Sequence, residues 1–384
     1  MSSNKYDIII AGGGLSGLSL AWYLAKGDYK GEVLIIDSTF APMNNKTWCF
    51  WSKKKPPFHE IVYKKWRKSF FSVLDFDAFL YMHDHTYYCI RESDFKEYVL
   101  TELQQRKNFH LLEESILDFS SNQKKAALVT KSSDTFLADY IFQSIIQPHP
   151  IEEKKPKYPL IQHFLGLEIK TNFPVFDPET FTIMDFDEDF EDGLAFIYIL
   201  PFRQNRALIE YTIFSSSPLK KKKEYRKKIK EYLKSKFDLS REDYEIKRKE
   251  YGEIPMEDRS YTPTYAQKII NIGTVGGLTK PSTGYTFTRI QKYSENLANS
   301  ILQGNEILLP PQSEFRYRYY DLLLLHIISN STKDSLHIFR DLFKNNSVDK
   351  VFDFLSEDTN FTDDLKIMSS VPYTPFLKAI SKNL

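Results

Sequence analysis

Between Tyr6 and Asp37 the sequence leaves the chain few alternatives. Ile8-Ile9-Ile10 is a short β-branched run of the kind a strand buried on both faces requires. It runs directly into Gly12-Gly13-Gly14-Leu15-Ser16-Gly17, a G-x-G-x-x-G. Gly12 permits the tight turn, Gly14 lets the backbone approach a pyrophosphate, and Gly17 lets the next helix lie close to the strand. That helix, expected from Leu18 to Lys26, aims its N-terminal amides and their partial positive charge at the phosphates. A second strand, Val33-Leu34-Ile35-Ile36, ends in Asp37, twenty residues past Gly17. A carboxylate at that offset accepts from ribose hydroxyls and repels a 2′-phosphate. The glycines alone are a weak signal. With strand, helix and acid in place, the stretch from Gly12 to Gly17 with Asp37 predicts an adenine dinucleotide site.

A chain of 384 residues has room for roughly two or three domains and a sizeable core. Its 52 basic and 51 acidic residues balance, so no global field selects nucleic acid as a partner. Two cysteines, Cys49 and Cys89, are too few for a disulfide framework or a metal cluster and suit a reducing cytosol. No metal site is expected. The first strand begins within a few residues of the start, leaving no room for a signal peptide. No apolar run reaches the roughly 20 residues that span a bilayer, so a soluble or membrane-surface protein is expected. The 30 Phe and 24 Tyr suit either a Phe-rich core or a large apolar pocket.

Trp48 and Trp51, expected on a loop, read as core anchors or as walls of a pocket. Tyr87 to Ile90 reads as a strand and Arg91 opens a helix, with Ser93 or Asp94 as N-cap. Leu111–Phe119, Ala126–Thr130 and Ala138–Ile146 read as further strands. The segment from Pro148 to Pro159 marks a boundary, beyond which short strands indicate a mainly antiparallel sheet: Gln162–Lys170, Thr180–Phe186, Leu194–Leu200, Arg206–Phe214 and Glu245–Gly252. Between Lys220 and Lys236 ten Lys or Arg stand against two Glu, with Tyr225, Ile229 and Leu233 on one face. Such a helix lies on an anionic bilayer or covers the sheet.

Ile269 to Ile272 is a second buried strand, followed by Gly273, Gly276 and Gly277 and a helix from about Phe287 to Gln303. A second strand, glycine turn and helix so far downstream points to FAD rather than NAD. A flavin extends across its domain and needs a distant loop for the pyrophosphate and ribityl chain. From Ser313 onward the chain reads as all helix, with stripes such as Leu336, Phe339, Phe343 and Tyr373, Phe376, Leu377, Ile380.

Five segments carry a resemblance to the bacterial and plant lycopene β-cyclases, flavoproteins related in fold to the aromatic hydroxylases. They are Asn45–Trp51, Leu160–Phe164, Phe181–Phe186, Ala207–Thr212 and Lys280–Tyr285, the last two being the most specific. The resemblance implies cyclisation of the ends of lycopene and related linear carotenoids to β-ionone rings without net electron transfer. It also implies reduced FAD, NAD(P)H as reductant, and a membrane surface where the hydrocarbon is available. Glu210 is implied as the acid–base residue and Asp185 as a second choice. Many relatives carry another acid directly after the glutamate, where this chain has Tyr211. Cofactor contacts carry over to Arg91 and to the late loop with Gly273, Gly276, Gly277, Thr283 and Gly284. Trp48, Trp51, Tyr198 and Tyr285 are the implied substrate contacts. A carboxyl in an apolar pocket stays protonated near neutral pH, which proton-initiated cyclisation needs.

The architecture expected is α/β: an FAD-binding Rossmann-like domain (1–58, 85–147 and 265–304), an inserted mixed β-sheet substrate domain (59–84 and 148–264) and a helical C-terminal region (305–384). The rival readings are an FAD-dependent monooxygenase or prenyl double-bond reductase, and a non-enzymatic flavin- or carotenoid-binding protein. The expected location is cytoplasmic and peripheral to the membrane.

Overall fold

The computed structural model describes residues 5–145 and 155–383. Part of the expected boundary from Pro148 to Pro159, and the end of the strand expected to reach Ile146, lie outside the described residues.

The N-terminal isoleucine run forms strand Lys5–Ala11 at the centre of a sheet. Val33–Asp37 and Phe109–Glu113 follow in parallel on one side, Thr135–Gln143 and Ile269–Asn271 on the other. Both faces are apolar because both are covered. Ile8, Ile10, Val33 and Ile35 pack under helices Leu15–Lys26, Glu92–Gln104 and Phe287–Leu302. Ile9, Ala11, Leu34 and Ile36 meet Phe119, Leu128 and Phe136 of antiparallel strands. The stretch expected as one strand from Leu111 to Phe119 is interrupted at Glu114 and Ser115, giving Phe109–Glu113 and Ile116–Ser121.

A second, seven-stranded sheet runs in the order Tyr244–Met256, Leu160–Thr171, Arg206–Ser215, Leu194–Arg203, Thr180–Phe186, Lys68–Val73, Phe76–Tyr81. Its neighbours are antiparallel except Thr180–Phe186 with Lys68–Val73. Helix Lys222–Phe237 covers one face, with Tyr225, Ile229 and Leu233 fully buried against Ile199, Ile209 and Ile213. Each such side chain contributes about 1.5–3 kcal/mol. The apolar stripe is thus taken by the sheet, which corrects the bilayer-lying alternative: only the charged side of this helix faces outward.

Five C-terminal helices between Phe315 and Asn383 follow, three of them capped by Ser331, Ser347 and Asn360. Their Leu325, Phe339, Phe343 and Phe352 pack over the other face of the sheet, against Leu194, Phe196, Leu208 and Phe214. A small third sheet joins Thr47–Ser52, Thr86–Arg91 and Lys64–Trp66. Trp48 and Trp51 are therefore in a strand, not a loop, and alternation sends them to opposite faces. Arg91 closes its strand, and the helix starts at Glu92, so neither Ser93 nor Asp94 is the N-cap.

Candidate active site

Strand register builds the site. Glu210 stands opposite Gly166, Gly166 stands opposite Glu250, and Tyr198 stands opposite Glu210. Directly opposite residues share a face, so Tyr198, Glu210 and Glu250 form one row with a gap at Gly166. A Cβ at position 166 would lie 2.9 Å from Glu250 Cγ and 3.0 Å from both Cγ and Oε1 of Glu210. The missing side chain is what lets the two carboxyl groups meet.

Glu210 is 8 % and Glu250 3 % exposed. Burial first, and then the neighbouring Glu250, pushes the Glu210 carboxyl well above the usual carboxylate range. The two carboxyl groups are close enough that Glu250 is the second cause of this shift, after burial. Glu250 also accepts from Arg248 Nη1 at 2.6 Å and from the Thr47 hydroxyl at 2.9 Å. Two donors therefore converge on Glu250, while Glu210 is the group pushed toward its protonated form.

Arg248 is held in turn by Glu168, which is fully buried and also binds Arg91 at 3.0 Å and Arg206 at 2.6 Å. Burial opposes charge on Glu168, yet Arg248, Arg91 and Arg206 together keep its carboxyl below the ordinary range. The Arg91 guanidinium also lies over the Tyr63 ring, 3.6 Å from its centroid. Arg91 is therefore engaged by the seven-stranded sheet rather than solvated.

Beyond Glu210 the phenols of Tyr198, Tyr87 and Tyr285 are linked, Tyr87 Oη lying 2.9 Å from Tyr198 Oη and 3.0 Å from Tyr285 Oη. Burial raises the pKa of all three, so they stay neutral. Cys49 sits beside Tyr198, opposite Cys89, and burial pushes its thiol up as well. Cys49, Tyr198 and Tyr285 are partly buried, and of these Tyr285 lines a cavity together with Trp51. Trp51 meets Tyr285 edge to face at 4.4 Å and stacks on Phe352 at 4.3 Å.

Not every expected residue reaches this space. The pairing of Thr180–Phe186 shifts register between Thr182 and Asp185, which places Asp185 opposite Ile197 on the face covered by helix Lys222–Phe237. There it accepts from the Tyr232 hydroxyl at 2.6 Å. Asp185, the second choice for the acid–base role, is therefore on the opposite face of the sheet from Glu210. Trp48 packs on Phe95 and Phe287 in the dinucleotide domain, away from Trp51. Sequence reasoning overlooked Glu250 and Tyr87. Tyr87 was readable as a strand residue two positions from Cys89. Glu250 lies in an edge strand of alternating charge, where nothing separates an inward carboxylate from an outward one.

The glycine turn fits a dinucleotide's phosphates. A Cβ on Gly17 would fall 2.0 Å from the Gly12 carbonyl oxygen, so this glycine is needed to seat the helix. Gly14, by contrast, has nothing within 4 Å of where its Cβ would be, and it caps helix Leu15–Lys26 without a side-chain bond to the first amides. The Ser16 hydroxyl is buried with no partner among the described residues, next to Gly273. Open backbone, unused amides and an orphan hydroxyl converge where phosphate oxygens are expected. Asp37 accepts from the amides of Gly13 and Thr39 at the end of its strand. Gly277 and Gly284 take positive φ in the late loop, and Thr283 accepts from the Tyr285 amide. No group of three or more potential metal ligands occurs among the described residues.

Fold and site together define an α/β flavoprotein-type protein: a Rossmann-like dinucleotide domain, a mixed sheet inserted into it and a helical C-terminal region. Solved structures of similar fold include a flavoprotein/dehydrogenase from Cytophaga hutchinsonii (TM-score 0.62, 14 % identity, 92 % of each chain covered). Others are pqsL, a probable FAD-dependent monooxygenase from Pseudomonas aeruginosa (TM-score 0.58, 12 % identity, 85 % of this chain and 97 % of that one), and the halogenase PltM in complex with FAD (TM-score 0.59, 13 % identity, 92 % and 82 %). The chain belongs to the lycopene cyclase family: the family model "Lycopene cyclase protein" matches residues 7–381. It is also 27 % identical over 164 residues to a lycopene beta cyclase, chloroplastic/chromoplastic, of Narcissus pseudonarcissus, covering 40 % of this chain and 32 % of that protein.

Proposed function

We propose that this protein is a lycopene β-cyclase that converts linear ends of lycopene to β-ionone rings by acid–base chemistry. The observation that carries the reading is the buried carboxyl pair, in which burial and Glu250 push Glu210 toward its protonated form while Arg248 and Thr47 donate to Glu250. Glu210 gives its proton to the terminal double bond, and the neighbouring double bond closes the ring on the resulting cation. A proton then leaves to the carboxylate pair, so mass and electron count are unchanged. The rings of Tyr87, Tyr198, Tyr285 and Trp51 offer π faces to the positive charge, the three phenol hydroxyls are engaged with one another, and the bulk of the rings excludes water.

FAD fits the turn Gly12 to Gly17, with Asp37 at the ribose and the loop Gly273 to Gly284 along the chain toward the ring system. When bound and reduced by NAD(P)H, it supplies an electron-rich ring system that stabilises positive charge. The same reading places the protein at a cytoplasmic membrane surface, where a polyene hydrocarbon is available. No helix among the described residues is long and apolar enough to cross a membrane.

The test is pigment analysis of a lycopene-accumulating host that expresses the chain, alongside anaerobic turnover of the purified protein. A cyclase yields a product of unchanged mass with no need for oxygen. A product that gained hydrogen would instead establish the reductase reading, and one that gained oxygen the monooxygenase reading. Glu210→Gln should abolish rings while flavin is retained.

A further inference from the structure

A cavity of about 720 Å³ has Trp51 and Tyr285 in its wall, and Tyr285 is linked through Tyr87 to Tyr198, the residue opposite Glu210. Its size suits a bound organic molecule rather than solvent alone. Phe50, Leu278, Phe287 and Tyr293 supply apolar wall, and the ion-paired Lys280, Arg289 and Glu357 line it as well. Its outer lining has a different character. Leu308 and Leu309 belong to it and are 42 % and 48 % exposed, and Lys54 and Lys292 stand beside them. Neither lysine makes an ion pair among the described residues, whereas Lys53 is committed to Asp353. A hydrocarbon has no use for cations. Lysines beside exposed leucines at a cavity mouth call for a ligand surface that is apolar within and anionic at its skin.

The leucine loop is held in place. Tyr293 donates to the Leu308 carbonyl at 2.9 Å, and Ser313 donates to Glu357 at 2.9 Å. Arg316 then binds Asp364 at 3.0 Å, so the segments around 308–316 and 357–365 lie side by side. Both carry large apolar side chains in water: Phe315 is 73 % and Phe361 56 % exposed. Single exposed apolar residues need no explanation, but Leu308 and Leu309 at the cavity, with Phe315 and Phe361 exposed farther along the two adjoining segments, mark a contact surface.

We propose that this rim docks on an anionic lipid bilayer, with Leu308 and Leu309 entering the hydrocarbon and Lys54 and Lys292 meeting the headgroups. The cavity then opens toward the acyl chains, and an apolar substrate passes inward without crossing water. The docking stands on the surface itself; the delivery of a polyene rests on the cyclase reading. The basic helix Lys222–Phe237 is the competing contact, but its apolar stripe is buried, so it offers charge alone.

Flotation with phosphatidylcholine vesicles, with and without phosphatidylglycerol, tests the docking in full-length protein. The unmodified chain should float with the anionic vesicles. Leu308→Asp/Leu309→Asp should lose that binding, and Lys54→Ala/Lys292→Ala should weaken it on the order of twentyfold. All four positions are exposed, and circular dichroism should confirm unchanged folding. Failure of the unmodified chain to float, or binding undisturbed by both rim variants, overturns the proposal. So does binding that Arg226→Ala/Lys230→Ala removes and the rim variants spare. A paired assay separates this from the cyclase reading: the leucine variant should lose turnover of lycopene embedded in vesicles and keep turnover of lycopene supplied in detergent micelles. No cyclisation in either format would remove the cyclase reading and leave the flotation result standing.

Discussion

Glu210 and Glu250 meet across Gly166, the one position between them in the row that carries no side chain. Gly166→Ala should therefore disturb the pair before anything else. The new methyl would lie 2.9–3.0 Å from both carboxyl-bearing chains, closer than carbon contacts allow. An overpacking cost of about 1–3 kcal/mol is expected in chemical denaturation. Ring formation should fall more steeply than stability, because the proton on Glu210 depends on how close Glu250 stands. Unchanged turnover in a destabilised Gly166→Ala protein would refute a role for that spacing.

The pH profile follows from the direction of the Glu210 shift. Its native pKa lies above the ordinary carboxylate value, through burial first and Glu250 second. Between that ordinary value, about 4.3, and the raised one, the native state holds a proton that the unfolded state has lost. Stability must then fall as pH rises through that window, by at most about 1.4 kcal/mol per pH unit. The acid form disappears as pH passes the raised value, so turnover should decline on the alkaline side. Glu210→Gln removes the titration and should flatten the stability curve, raising Tm relative to the unmodified chain at neutral pH and not at pH 4. Parallel stability curves for the two proteins would contradict a proton on Glu210.

Arg248 connects Glu168 to Glu250, bonding them at 2.9 Å and 2.6 Å. Arg248→Met leaves Glu168 with Arg91 and Arg206 but leaves Glu250 with only the Thr47 hydroxyl. Stranding a buried carboxylate costs about 3–5 kcal/mol. Adding Glu250→Gln should recover much of that loss, since the stranded charge is gone, and additive losses in the double variant would show that the two residues do not act together.

Local rules read the dinucleotide domain well, because each of its parts has a local cause. A β-branched run, glycines at fixed offsets and an acid at the next strand end are all set within one βα unit. The antiparallel strands were readable too, Thr180–Phe186 to the residue. What escaped was the content of the faces. Asp185 changes side because of a register shift between Thr182 and Asp185, and nothing in the local sequence announces it. Glu250 comes from a strand far along the chain and meets Glu210 only through the intervening Leu160–Thr171 strand. Trp48 and Trp51 were grouped by proximity in sequence, yet strand alternation separates them. Side-chain position on a sheet depends on pairing, which is non-local.

Asp185 and Glu210 should accordingly part company in mutants. Asp185 accepts from Tyr232 and has Lys236 at 3.6 Å, on the helix side of the sheet. Asp185→Asn keeps the shape and can still accept from Tyr232, so a loss of about 1 kcal/mol and persistent ring formation are expected. Loss of rings in a stably folded Asp185→Asn protein would return that residue to the acid–base machinery.

The two glycines of the first turn give opposite expectations. Gly17 is needed by the protein alone, since any Cβ would run into the Gly12 carbonyl oxygen at 2.0 Å. Gly17→Ala should therefore lower the Tm of flavin-free protein, because the helix must lift off the strand. Gly14 is needed only by what binds there: its backbone φ of −85° suits alanine, and nothing lies within 4 Å of the new methyl. Gly14→Ala should leave the flavin-free protein as stable as before, within about 0.5 kcal/mol, while flavin retained through purification falls sharply. Titration of flavin-free protein with FAD, followed by flavin fluorescence, measures the difference directly. Equal FAD affinity in Gly14→Ala and unmodified protein would mean that the phosphates do not approach this turn, and the cofactor would have to be sought elsewhere on the chain.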